Sequence, residues 1–235
     1  MKRNYNKAAR NYLLKNKDTL LNAIIFLVLS IPATFLVQSD MLATRGENYQ
    51  LYLMYLLILG ISFIQGSSMV VDLTVKDRLS RRLEFYLASG GDVKEILKAY
   101  TLEMFRIAAI IPFFIFMACF YMIDWTVPFE KMILIYVTTS AVSYLGIYLL
   151  NTLVLSIKRF KLFKNILFFS NFLIFFIGTN LGPSLLDSNI FNILSLDTAI
   201  LFFNLIIGVV LLMITLAKIK HVNNEDIIRR DALWE

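Results

Sequence analysis

Six apolar runs, separated by polar connections, decide what this chain of 235 residues can become: residues 20–37, 51–71, 101–123, 132–157, 165–181 and 198–217. Crossing about 30 Å of hydrocarbon at 1.5 Å per residue takes roughly twenty apolar residues, and the runs cluster around that length. None alternates with the period of a strand or carries a polar helical stripe. In lipid a spanning segment must satisfy its own backbone amides, so each run is expected to be a helix. The predicted class is an all-α integral membrane protein of about six transmembrane helices in a single membrane domain. A composition 58% hydrophobic with 20 phenylalanines agrees with that class. About nineteen largely polar residues precede the first run, and no clear Ala-x-Ala pattern follows it, so that run reads as a retained helix rather than a cleaved signal.

The basic residues are distributed unevenly. Of 23 lysines and arginines, only Arg45 and Lys131 fall in the connections after the first and third runs or in the one after the fifth. The rest lie before the first run, between the second and third with Arg106 near the start of the third, between the fourth and fifth, and after the sixth. The positive-inside rule then places both termini and the 75–97 segment in the cytoplasm. The outer connections carry acids instead: Asp40, Glu47, Asp124, Glu130, Asp187 and Asp197. Residues 182–197 are apolar enough to form a re-entrant connection in the outer leaflet, and residues 218–235 form a cytoplasmic tail. In such a chain a net charge of +6 reflects cytoplasmic loops, which sets nucleic acid aside.

Several chemistries lack their residues. A single histidine, His221, argues against the common zinc enzymes, and a single cysteine, Cys119, cannot close a disulfide within the chain. No glycine is followed by lysine, so a G-x-x-x-x-G-K-[ST] phosphate loop is absent, and so is a G-x-S-x-G elbow. The chain is not expected to be an enzyme, and if ATP drives it, another chain hydrolyses the ATP. Within the runs, Gln65, Asn151, Asn171 and Asn204 are either hydrogen-bonding glue between helices or candidates for a cargo path. Asp72 and Lys76, four apart, and Glu103 and Arg106, three apart, are spaced for structural ion pairs near the cytoplasmic edge. Pro32 and Pro112 are expected to kink the first and third spans.

The longest polar segment inside the chain, VKDRLSRRLEFYLASGGDVKE, begins at Val75. On one continuous helix, Val75, Leu79, Leu83, Tyr86 and Leu87 share an apolar face, with Arg78, Arg81, Arg82 and Glu84 opposite. Such a helix lies along the interface rather than across the membrane. Phe85 projects among the arginines, where an aromatic suits a protein contact better than lipid. Ser89-Gly90-Gly91 reads as a helix stop, and Asp92 followed by Glu95 as a capping box for the next helix. The segment either packs on lipid headgroups or docks a protein.

Here the chain resembles the membrane-spanning (permease) subunits of type-2 ABC exporters. The resemblance is carried by Asp77-Arg78, Arg82-Leu83-Glu84, Leu87-Ala88-Ser89 and Ile96-Leu97-Lys98, together with the span count and cytoplasmic termini. The family usually has a proline after the serine, where this chain has Gly90-Gly91. The resemblance implies a cytoplasmic coupling helix between spans two and three that docks on a separate ABC ATPase subunit. Arg78, Arg81, Arg82, Leu83, Glu84, Phe85 and Leu87 would form that docking site. It also implies a second membrane subunit, ATP and magnesium on the partner ATPase with no cofactor in this chain, export of an amphipathic peptide, drug or lipid-like cargo, and residence in the plasma membrane. Residues 1–19 resemble the family's interfacial N-terminal helix, and read without the family they are an anchor for anionic lipid. A membrane-embedded enzyme acting on a lipid headgroup near Glu103 and Arg106, and a non-transporting scaffold or immunity protein, remain the alternatives.

Overall fold

A computed structural model describes residues 5–39, 45–157, 159–176 and 195–229, and these are helical with no strand among them. The chain opens with α1 (Tyr5–Lys15), breaks at Asn16, and continues as α2 (Lys17–Gln38). The Asn16 side chain accepts from the amide of Asp18 at 3.1 Å, so one residue ends α1 and starts α2. α3 (Glu47–Val70) runs through a π-turn (Val71–Val75) into a short α4 (Lys76–Leu79). After α5 (Arg82–Ala88) come α6 (Val93–Ala108) and α7 (Ile110–Met122). α8 (Phe129–Ser156), α9 (Phe160–Phe176), α10 (Leu196–Ile219) and α11 (Asn224–Arg229) complete the described residues.

Among the described residues, five helical stretches are long and apolar enough to cross a membrane: Lys17–Gln38, Glu47–Leu79, Val93–Met122, Phe129–Ser156 and Leu196–Ile219. They match the first four expected runs and the last, the third and fourth runs ending one residue beyond their helices. The remaining run, 165–181, overlaps α9, whose 17 residues extend about 25 Å. The end of that run, the Gly178–Gly182 pattern and most of the expected re-entrant connection lie outside the described residues. The two prolines behave differently. α2 passes through Pro32 unbroken. At Pro112 the ring has no amide hydrogen and meets the carbonyl four residues back, and the helix divides at Ala108–Ala109.

Two cores hold the bundle, one toward each end. The first joins Leu13 of α1, Leu73, Leu83 and Leu87, Leu97 and Met104 of α6, and Val154 of α8 to Val222 and Ile227 near the C-terminus. The second packs Met54 and Ile58 of α3 on Ile111 and Ile115 of α7, Met132 and Ile135 of α8, and Ile200 of α10. Outside these cores α2 and α10 present leucine, isoleucine, valine and phenylalanine to the surroundings, as a helix against acyl chains must.

Small polar groups tie the apolar helices together. The Asn151 amide donates to Thr101 at 3.1 Å and accepts from the Thr74 hydroxyl at 2.6 Å, joining α8 to α6 and the π-turn. Asn204 of α10 donates to Thr138 and Thr139 of α8 at 3.1 and 3.0 Å and accepts from Tyr55 of α3 at 3.1 Å. At the end opposite α5, Lys131 reaches Asp197 at 2.6 Å, and Glu47 accepts from the amides of Thr126 and Val127 at 2.7 and 3.2 Å.

Candidate docking site at one end of the bundle

The expected continuous helix from Val75 to Leu87 is two helices. Span two overruns the hydrocarbon-length run through its π-turn and ends at Leu79, and the chain then turns at Ser80 and Arg81. Arg81 is the one described residue other than glycine with positive φ, at 57°. That left-handed residue redirects the chain, so the side chains before it and after it follow different axes. Arg78 is therefore not on the charged face: it is 3% exposed and its guanidinium donates to the carbonyls of Val154 and Ile157. It closes the C-terminal end of α8, where a helix leaves carbonyls unpaired. Leu79, expected on the buried face, is exposed for the same reason.

α5 itself keeps the expected amphipathy. Leu83 and Leu87 are buried in the core at that end, Glu84 is half-buried, and Arg81 and Arg82 are exposed. Phe85 stands out at 72% exposure. Arg82 stacks over the ring of Tyr12 at 5.3 Å and lies 3.5 Å from the carboxylate of Asp77. Asp77 raises the pKa of that guanidinium above its ordinary value. Asp77 is buried and also accepts from the Tyr100 hydroxyl at 2.7 Å. Thus one carboxylate links the end of span two, the start of α5 and α6, while Tyr12 brings α1 to the same point.

The C-terminal end of α5 is a Schellman turn. Gly90 and Gly91 donate their amides to the carbonyls of Leu87 and Tyr86 at 2.9 and 3.0 Å. Gly90 has φ 81°, and a Cβ on Gly91 would come within 2.7 Å of the Tyr86 carbonyl oxygen and 2.9 Å of the Tyr5 hydroxyl. Both glycines are thus needed, the first for its backbone and the second for its lack of volume. Asp92 caps α6 by accepting from the Lys94 amide at 3.0 Å, and Glu95 is exposed.

The two charge pairs lie beside this site. Lys76 contacts Asp72 at 3.4 Å and also Asp18 of α2 at 2.8 Å. Glu103 contacts Arg106 at 2.7 Å and, across to α1, Arg10 at 3.9 Å. The third members, Asp18 and Arg10, carry no signal in local spacing, because they come from other helices. Of the four amides named as path candidates, Asn151 and Asn204 are saturated by neighbouring helices. The hydroxyls that bind Asn204 come from Thr138 and Thr139, about 18 Å along α8 from Asn151. Asn171 lies 3.4 Å from Ser67, and Gln65 is buried with its carbonyl oxygen unpartnered among the described residues. The four do not converge on one lining. A separate apolar cleft of about 450 Å³ lies between α3, α8, α9 and α10, with Tyr52, Leu59, Phe63, Phe169, Ile200 and Leu211 on its walls.

No protein-family model matches the chain, and neither the curated proteins nor the solved structures provide a match to it. The functional reading accordingly stands on the residues and geometry above.

Proposed function

We propose that this protein is the membrane-spanning subunit of an ATP-driven exporter, with α5 as the coupling helix that docks on a separate ATPase. One observation carries the reading: a short helix anchored from below by Leu83 and Leu87 holds Phe85 outward, with Arg81 and Arg82 beside it. An exposed aromatic with neighbouring arginines on a rigid base is the composition of an interface anchor, whereas a lipid-facing helix would turn its apolar side outward. α9 serves as the fifth of six spans, the end of the bundle bearing α1, α5 and α11 faces the cytoplasm of a cell with the chain in its plasma membrane, and a second membrane subunit completes the translocation unit. ATP and magnesium belong to the ATPase. The apolar cleft favours an amphipathic peptide, drug or lipid-like cargo over a polar one.

The burial of Glu103 weighs against headgroup chemistry. Its carboxylate is 1% exposed and engaged by arginines on two helices, which suits a tie between α1 and α6 better than a proton-transfer group meeting lipid. The test is co-purification of the tagged chain from its native membrane, beside an Arg81→Glu plus Phe85→Ala variant that leaves the buried face of α5 untouched. An ATPase with a phosphate-binding loop is expected with the wild type and reduced at least tenfold with the variant. Equal recovery with both would remove α5 from the interface, and its absence from both would leave a scaffold or immunity role in front.

A further inference from the structure

The C-terminal helix touches the docking segment. After the last span the chain reverses at His221 and Val222, and α11 packs against α5. Val222 and Ile227 are buried, at 2% and 1% exposure, in the same core as Leu83 and Leu87. Between them Asn224 makes two directed bonds. Its Oδ1 accepts from the Val93 amide at 3.1 Å, the first amide of α6, which has no partner within its own helix. Its Nδ2 donates to the carbonyl of Gly91 at 3.0 Å. Asp92 caps the next free amide of α6, so the residues flanking Asp92 are held from outside by one side chain that is more than 130 positions away in sequence.

We propose that Asn224 is a positioning residue for the docking site: it clamps the Gly90-Gly91 turn, so that α5 is tied to the last span as well as to spans two and three. Without this clamp the turn would be the natural hinge of the segment, since Gly90 has φ 81° and an exposed surface. With it, a displacement of α5 is delivered through α11 to the cytoplasmic end of α10. The regulatory meaning rests on the docking reading above, but the clamp itself requires no partner.

Amide hydrogen exchange on the purified full-length chain separates the clamp from a simple helix cap. Asn224→Asp keeps an acceptor for the Val93 amide and is as good a cap as asparagine, but it removes the donor to Gly91. Exchange at the amides of Gly90 and Gly91 is expected to rise at least tenfold in both Asn224→Asp and Asn224→Ala, with a smaller rise in the last turn of α10 and none in the middle of α8. Ile227→Ala, which keeps both hydrogen bonds and trims only packing, is expected to act in the same direction with a smaller size. Wild-type protection at Gly90 and Gly91 in Asn224→Asp would overturn the clamp, and a loosened turn with an unchanged α10 would overturn the link to the last span. A variant that fails to fold is recognised by reaction of the buried thiol of Cys119 without denaturant. Because the measurement is made without the ATPase, its failure leaves the proposed function standing, and loss of ATPase binding leaves the clamp standing.

Discussion

Individual side chains in this protein are committed by what surrounds them rather than by their type. Asn151 and Gln65 are both buried amides in apolar helices, yet Asn151 is bonded to Thr74 and Thr101 while the Gln65 oxygen has no partner among the described residues. Removing a satisfied group strands its partners, and removing an unsatisfied one does not. Asn151→Ala is therefore expected to lower stability by about 1–2 kcal/mol, and Gln65→Met to leave it unchanged or raise it, as read from thermal unfolding in detergent. The glycines divide similarly. Gly90→Ala is expected to cost about 1–2 kcal/mol because a Cβ is disfavoured in the left-handed region. Gly91→Ala places its Cβ 2.7 Å from a backbone oxygen, so the Schellman turn must open, and a larger loss is expected in the same assay.

At the scale of elements, the break in span three follows from one residue. Pro112 lies just past the division between α6 and α7, where its ring would meet the carbonyl of Ala108. Pro112→Ala is expected to tighten the helix past Ala109, seen as slower amide exchange at Ile110 and Ile111, whereas Phe113, already bonded to the Ala109 carbonyl at 3.1 Å, is expected to change little. α1 is held by Leu13 in the core, by Tyr12 under Arg82, and by Arg10 facing Glu103. Glu103→Gln removes the charge that faces both arginines. The expected result is faster proteolytic cleavage between α1 and α2, with the spans intact.

For the molecule as a whole, α1, α5 and α11 meet at one end, and the Lys131–Asp197 and Glu47 contacts close the other. If the first end is cytoplasmic, cysteines introduced singly at Ala88 or Glu225 are labelled by an impermeant maleimide only in inside-out vesicles, and one at Glu130 only in right-side-out cells. All three positions are exposed, while Cys119 is buried and contributes no background. Labelling of Ala88 from outside would reverse the orientation.

The sequence by itself determined the helical class, because a run near twenty apolar residues has one way to satisfy its amides in lipid. It also determined the stop at Gly90-Gly91 and the start at Asp92, because caps are written in neighbouring residues. It did not reveal the turn at Arg81, which breaks the expected Val75–Leu87 helix, hides Arg78 and exposes Leu79, because an arginine in a left-handed conformation leaves no mark in local periodicity. Nor did it reveal that Arg10 and Asp18 join the charge pairs, or that Asn224 caps a helix beginning at Val93. Those contacts join residues far apart along the chain, and only the packed helices bring them within hydrogen-bonding or charge-pairing distance.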